Sequence, residues 1–229
     1  MIDYSKLEEK IGVKFQNQNL LMQAFTHRSY LNENRDAGLQ HNERLEFLGD
    51  AVMELATTDY LYKNYPDKNE GELTSLRAAL VNTQTISDVA FDLGFNDFLL
   101  LSRGESKDTG RARQYILANT FESVIGAIFL DQGYEVARYF IYKFLIERLE
   151  TIIKNKSWID AKSKLQELVQ EHMSLTPTYK TVKEEGPDHD KKFTVALYYG
   201  KKEIAIGDGK SKQEAEQEVA RKALEEFKK

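Results

Sequence analysis

Three acidic side chains recur at helical spacing in the segment NERLEFLGDA, which runs from Asn42 to Ala51. At about 100° per residue, Glu43, Glu46 and Asp50 fall within about 60° of one another on one face of a helix. Like charges this close together repel unless a cation lies among them, and an ordinary solvated face usually mixes signs. The spacing therefore slightly favours a site for a hard cation over an ordinary exposed face.

The opposite side of the same segment is apolar and predicts the helix that carries the carboxylates. Its leucine and valine residues recur at steps of three and four, the repeat of a helix with one buried face: Leu45, Leu48, Val52 and Leu55. Gly49 costs about 1 kcal/mol relative to alanine inside a helix, which indicates close packing against another backbone. Phe47 and Met53 interrupt the pattern, because they fall on the flanks of the acidic face. Phe47 is either a boundary residue under a loop or a residue that a partner subunit covers.

A second polar pair, Asn119 and Glu122, lies one turn apart in a very apolar segment over residues 115–131. Burying such a pair costs free energy unless its polar groups are satisfied, so the pair invites a functional explanation. If this helix meets the acidic face of the first one, side-chain oxygens from two elements converge. Such a cluster suits Mg²⁺ better than histidines would.

The segment NERLEFLGDA resembles the signature of the ribonuclease III family, in which a metal-dependent endonuclease domain precedes a double-stranded-RNA-binding domain. The resemblance implies a magnesium site, with Mn²⁺ as a substitute, and Asp50 and Glu122 as catalytic residues. The main cation would be held by Glu46, Asp50, Asn119 and Glu122. A second cation would be supported by Glu43 and Glu70 through Glu122 and water.

Two residues near this site need separate comment. The family more often has an aspartate where this chain has Asn119, whose amide offers one neutral carbonyl oxygen. Amide oxygens do bind hard cations, so the missing charge is expected to weaken cation affinity rather than abolish it. His27 also lies in a run that resembles the family pattern, Thr26 to Ser29, but we expect it to be a structural hydrogen-bonding residue.

The rest of the chain divides by pattern into two domains. Helical periodicity dominates up to residue 153, and a helix, three strands and a helix follow a short polar linker. We therefore expect an all-α endonuclease domain over 1–153, a linker over 154–159, and an α-β-β-β-α double-stranded-RNA-binding domain over 160–229. The predicted helices of the first domain cover residues 3–11, 17–29, 42–64, 73–82, 85–93, 98–101, 115–131 and 135–153. The predicted elements of the second are helices over 160–172 and 212–227 and strands over 178–183, 192–199 and 203–206.

In the second domain, three separated features are candidates for contact with one face of an RNA duplex. Gln166 on the first helix suits the hydroxyl groups of the minor groove, and His189 in the first strand–strand loop can reach the next minor groove. Lys210 and Lys212 lie at the start of the last helix, where free amides and the helix dipole favour phosphate. Each of these residues alone is an ordinary surface residue, so the interpretation depends on their joint spacing.

Charge and composition limit the class of protein. The chain carries 32 Lys+Arg and 37 Asp+Glu, a net charge of −5. Residues 158–229 contain 14 Lys+Arg and 14 Asp+Glu, so all of the excess negative charge lies in the residues before them. This distribution is expected if the first domain binds cations. Any RNA contact must then come from local basic clusters, because there is no overall positive field.

Cysteine is absent, which fits a reducing compartment and excludes thiolate metal sites. The first residues lack the apolar core of a signal peptide, and the most apolar run, Val124 to Leu130, is too short to span a bilayer. We therefore expect a cytoplasmic protein without a membrane segment.

Three functions remain open at this point. The first is a magnesium-dependent endoribonuclease that cuts both strands of double-stranded RNA as a homodimer through Phe47. It would leave staggered ends with 5′-phosphates and take part in rRNA and mRNA processing. The second is a binding protein of the same fold, catalytically weak because of Asn119. The third is a helical metal-binding or scaffold protein whose second domain binds protein.

Overall fold

The computed structural model describes residues 3–155, 158, 161–187 and 191–227. They form two compact units, the first of which ends at Trp158. The first unit is helical, and the second combines two helices with a small sheet. This arrangement confirms the predicted fold class, an all-α domain followed by an α-β-β-β-α domain.

Nine α-helices are described in the first unit. They are α1 (Ser5–Ile11), α2 (Gln18–Ala24), α3 (Arg28–Glu33), α4 (Glu43–Asn64), α5 (Glu70–Leu80), α6 (Thr83–Asp92), α7 (Arg111–Gln132), α8 (Tyr134–Phe144) and α9 (Leu149–Lys154). Short 3-10 turns lie at Phe95–Phe98, Glu105–Lys107 and Ile146–Arg148. The central helix is α7, which is buried on nearly all sides between Ile116 and Ile128. Such all-round burial is typical of a helix inside a large core.

Helices α4 and α7 make the most extensive helix–helix contact in the first unit, and two glycines allow it. A Cβ atom added at Gly49 would lie 1.7 Å from the backbone oxygen of Glu122. One added at Gly126 would lie 2.2 Å from the backbone oxygen of Leu45. The close backbone packing predicted at Gly49 is therefore confirmed, and the helix it packs against is the one that carries Glu122.

The buried face of α4 differs from the predicted one. Met53 is fully buried and Leu55 is 58% exposed, the reverse of their expected positions. The buried side contains Leu45, Gly49, Val52, Met53, Ala56 and Leu61. Leu55 instead lies on a second apolar stripe, on the side of the helix that also carries Phe47. The prediction was wrong because both stripes have helical spacing, and one sequence pattern cannot tell which of them is covered within the chain.

Several element boundaries also differ from the prediction. Glu70 lies in the first turn of α5 rather than in a turn before it, since Asn69 and Glu72 form a capping box that starts the helix there. The predicted helix at 135–153 is divided into α8, a 3-10 turn and α9. Helix α3 was not predicted; His27 is its N-cap and accepts a hydrogen bond from the Ser29 amide, which confirms a structural role for His27.

The second unit consists of α10 (Ala161–Met173), β1 (Pro177–Glu185), β2 (Lys192–Tyr199), β3 (Lys202–Gly209) and α11 (Lys212–Phe227). The strands form one antiparallel sheet in the order β1-β2-β3. Both helices pack on the sheet face that presents Val195 and Leu197. Gly207 permits the close approach of α11, because a Cβ atom there would lie 2.6 Å from the Val219 nitrogen. In the described part of the chain, no helix combines the length and the apolar character that a membrane span needs.

Candidate active site

The polar side chains of α4 and α7 meet in an antiparallel register. The Ser123 hydroxyl donates a hydrogen bond to the backbone oxygen of Asn42 at 3.3 Å. One turn along both helices, the side chain of Asn119 hydrogen-bonds to the carboxyl group of Glu46. The two elements that sequence reasoning singled out therefore do face each other, and the glycine contact sets their separation.

Glu122 is the most perturbed carboxyl group of this region. Its burial raises its pKa to about 8, and the negative charges of Asp50 and Glu46 add to the rise. Burial also raises the pKa of Glu46, together with the charges of Glu43 and Asp50, while the hydrogen bond from Asn119 opposes the shift. These pKa shifts show that Glu46, Asp50 and Glu122 lie close enough to repel one another, and that nearby positive charge does not balance them.

The donor set fits a hard cation by the type of its ligands. It offers three carboxylates and one amide oxygen, the ligands that Mg²⁺ prefers. Within the described residues, however, no three His, Cys, Asp or Glu side chains converge closely enough to form a metal-binding group. The charges of Asp50 and Glu46 thus reach Glu122 strongly enough to raise its pKa, although these carboxylates do not converge on one point. A cation placed among them would relieve the repulsion that raises the pKa of Glu122.

Glu43 and Glu70 occupy different surroundings from this cluster. Glu43 lies 3.4 Å from Arg28 and 3.8 Å from His41, at the rim of the cluster. Glu70 lines a cavity of about 480 Å³ beside the second half of α4, with Leu61 and Tyr62 among the lining residues. Along the α4 axis that position is roughly 15 Å from Asp50, at 1.5 Å per residue. Within one chain, Glu70 is therefore not brought to the other candidate ligands.

An exposed apolar stripe runs along α4 beside the acidic face. It begins at Phe47, which is 82% exposed, and ends at Tyr62, which is 74% exposed. Three exposed residues lie between them: Ala51, Leu55 and Thr58. From Phe47 to Tyr62 the five residues follow one another at steps of four, four, three and four. Sequence reasoning found Phe47 but missed the stripe, although its spacing was a readable signal. Glu54, the next acidic residue along α4 after Asp50, forms an ion pair of 3.0 Å with Arg77.

The candidate RNA contacts of the second unit are exposed where they are described. Gln166 is exposed on α10, and Lys210 and Lys212 lie at the N-terminal end of α11. The Lys212 ammonium group is 2.7 Å from Glu184 and lies over the Phe193 ring at 5.7 Å from its centroid. His189 lies outside the described residues.

Comparison with known proteins agrees with this architecture. Residues 17–149 match the model of the "Ribonuclease-III-like" family, and residues 161–227 match that of the "Double-stranded RNA binding motif". The matched ranges define a nuclease-type helical domain joined to a double-stranded-RNA-binding domain. The chain belongs to the ribonuclease III family, whose members are metal-dependent endoribonucleases specific for double-stranded RNA.

Its relatives match it over almost their whole length. Ribonuclease 3 of Oceanobacillus iheyensis is 45% identical over 98% of this chain and 98% of its own. Ribonuclease 3 of Desulforamulus reducens is 44% identical over 96% of this chain and 90% of its own. A solved nuclease domain of ribonuclease III from Campylobacter jejuni, described as flexible in a region involved in dimer formation, is 37% identical. It covers 63% of this chain and 97% of its own with a TM-score of 0.58.

Proposed function

We propose that this chain is a magnesium-dependent endoribonuclease that cuts both strands of double-stranded RNA by phosphodiester hydrolysis with two metal ions. It acts as a homodimer, leaves staggered ends with 5′-phosphates, and takes part in rRNA and mRNA processing. The observation that carries this proposal is the carboxylate cluster between α4 and α7, where the pKa of Glu122 is raised to about 8. In this proposal the endonuclease domain covers 1–153 and the double-stranded-RNA-binding domain covers 160–229, with a linker over 154–159.

Glu46, Asp50, Asn119 and Glu122 hold the main cation in this proposal. When bound, magnesium supplies an activated water and stabilises negative charge on the leaving oxygen, and manganese can replace it. Glu122 must lose its proton to act as a ligand, so cation binding and deprotonation are coupled. The half-buried position of Glu122 keeps bulk water from screening its charge, which strengthens its interaction with any cation.

A second copy of the chain completes the site. The exposed stripe on α4 is self-complementary under a twofold axis near Leu55, because the axis brings the Phe47 end of one helix to the Tyr62 end of the other. The partner's cavity of about 480 Å³ lies at that end and offers Leu61 and Leu73 to an incoming Phe47 ring. Glu70 also lines this cavity, so the same docking carries Glu70 toward the acidic cluster of the other subunit. Glu70 then supports the second cation of the other subunit across the interface, while Glu43 supports the second cation of its own chain.

The second domain holds the duplex while the first cuts it. Gln166 and the loop that contains His189 contact successive minor grooves, and Lys210 and Lys212 contact phosphates between them. Lys212 must exchange its contact with Glu184 for a phosphate, which lowers its net contribution to affinity. The relatives described above are bacterial, and RNA in bacteria is made in the cytoplasm, so we place the activity there.

One observation favours a second function, RNA binding without efficient cleavage. Asn119 supplies a neutral ligand and already hydrogen-bonds to Glu46, so the site is one negative charge short of the pattern that the family more often shows. Incubating the purified protein with long duplex RNA, in Mg²⁺ or in EDTA, separates the two functions. Magnesium-dependent cutting to products with 5′-phosphates and staggered ends supports the endoribonuclease. A gel shift without cutting in either condition supports the binding protein and contradicts the nuclease proposal.

A further inference from the structure

Tyr115 and Arg111 extend the line of polar residues on α7 beyond the acidic cluster. Together with Asn119 and Glu122 they are spaced at four, four and three residues, which places all four side chains on one face of the helix. Tyr115 is 46% exposed, an unusual position for a large ring in a helix whose next turns are almost completely buried. Sequence reasoning passed over both residues.

The register between the two helices locates this pair relative to the site. Asn42 is opposite Ser123, and Glu46 is opposite Asn119. From Asn119, Tyr115 lies one turn farther from Ser123 along α7, and Arg111 lies a further turn beyond it. Tyr115 is also about 6 Å along α7 from Asn119, at 1.5 Å per residue. The tyrosine therefore borders the candidate metal ligands at the edge opposite Asn42.

The two side chains hold each other in place. Arg111 Nη2 donates a hydrogen bond to Tyr115 Oη at 3.3 Å, and its guanidinium carbon lies 5.8 Å from the centre of the tyrosine ring. Tyr115 accepts this bond, so its own hydroxyl proton is free to be donated elsewhere. The pair thus presents a hydroxyl donor and a guanidinium next to a site that binds a phosphodiester.

We propose that Tyr115 and Arg111 position the RNA strand being cut. Tyr115 donates a hydrogen bond to the ribose 2′-hydroxyl of a nucleotide adjacent to the scissile phosphate, and Arg111 contacts the phosphate that follows. A 2′-hydroxyl is the group that distinguishes RNA from DNA, and a tyrosine hydroxyl suits it as a partner. The inference rests on the proposed nuclease function and adds to it a contact that selects ribose at the cutting step.

The test uses the full-length protein under single-turnover conditions in Mg²⁺, with a short duplex that has one defined cut site. Single nucleotides near that site are replaced in turn by their 2′-deoxy counterparts. For the unmodified protein we expect one such position to slow cleavage about fivefold, the effect of one neutral hydrogen bond. Tyr115→Phe should be about fivefold slower on the all-ribose duplex and insensitive to the deoxy substitution at that position. Tyr139→Phe, which removes an exposed hydroxyl on α8, is the matched control and should behave like the unmodified protein.

Each outcome decides the inference. If Tyr115→Phe cuts the all-ribose duplex at the normal rate, or keeps the full sensitivity to every deoxy position, Tyr115 does not contact a 2′-hydroxyl. If Tyr115→Phe changes the dimer fraction measured by light scattering, the ring belongs to the subunit interface and the inference is wrong. A loss of cleavage by the unmodified protein in Mg²⁺ would instead contradict the proposed function. Duplex binding in EDTA gives a readout that does not depend on cleavage: Arg111→Gln should reduce the slope of log affinity against log salt by about one.

Discussion

Among single residues, Asn119 is the one that we expect to decide how strongly the proposed site holds a cation. It lies between Glu46, to which it hydrogen-bonds, and the turn that carries Glu122. Asn119→Asp restores one negative charge, so half-maximal cleavage should need about tenfold less magnesium. The full Coulomb gain at 4 Å is roughly 4 kcal/mol at an effective dielectric of 20, and repulsion and desolvation cancel much of it.

The same substitution should lower the melting temperature in EDTA. It replaces a hydrogen bond to Glu46 by a repulsion that no cation relieves. A magnesium titration of cleavage and a melting curve in EDTA measure the two effects separately. If both measurements are unchanged by Asn119→Asp, Asn119 faces away from the cation and is only a helix residue.

Glu122 gives the metal-free protein a characteristic pH dependence. Its pKa is about 8 in the folded chain, above the ordinary value of 4.5, so the folded state binds this proton more tightly than the unfolded state does. Stability in EDTA should therefore fall as pH rises from about 5 to 8, because the folded state must then carry an unfavourable charge. Glu122→Gln should flatten this part of the melting-temperature profile. A profile that keeps its slope in the mutant would assign the dependence to another group.

Among the secondary-structure elements, the glycine contact between α4 and α7 fixes the position of the proposed ligands. Gly49→Ala would put a methyl group 1.7 Å from the backbone oxygen of Glu122, so the helices must separate. We expect a loss of about 3 kcal/mol or more in the free energy of unfolding, together with a loss of cleavage. Gly71→Ala in α5 is the control: its methyl group would be 3.4 Å from the nearest atom, and it should be neutral or slightly stabilising. Equal effects in chemical unfolding would contradict a special role for Gly49.

Much of this element-level arrangement could be predicted from the sequence. The periodicity correctly predicted the bounds of β2 and α11 and the end of α4. Gly49 correctly predicted a close contact between two helix backbones. The buried face of α4 could not be predicted, because Leu55 and Met53 fit two different apolar stripes equally well. The position of Glu70 relative to the other candidate ligands depends on how separate helices pack. The spacing of residues along the sequence does not predict that packing.

For the whole molecule, the proposed function requires two chains for each complete site. When each variant is tested alone, Glu122→Gln should abolish cleavage and Glu70→Gln should weaken it. If Glu70 acts across the interface, a heterodimer of the two variants contains one intact site, with Glu122 from one chain and Glu70 from the other. Mixing the variants under conditions of subunit exchange should then restore cutting, mainly as nicks in one strand.

The opposite result has a clear meaning. If Glu70 acts within its own chain, both sites of that heterodimer are defective and mixing restores nothing. Phe47→Asp controls for assembly: by removing about 2 kcal/mol of apolar burial per subunit and adding a charge, it should shift the chain toward monomer in light scattering. A Phe47→Asp protein that stays fully dimeric at micromolar concentration would place the interface elsewhere.

In the proposed nuclease, the carboxylates between α4 and α7 carry out cleavage while the second domain binds the duplex. Glu122→Gln tests this proposal most directly, because it removes the ligand shared by both proposed cations and leaves the second domain unchanged. Cleavage of duplex RNA in Mg²⁺ and binding of the same duplex are measured side by side on both proteins. We expect Glu122→Gln to abolish cleavage and to leave the dissociation constant for the duplex nearly unchanged. Cleavage at close to the unmodified rate would contradict the proposal.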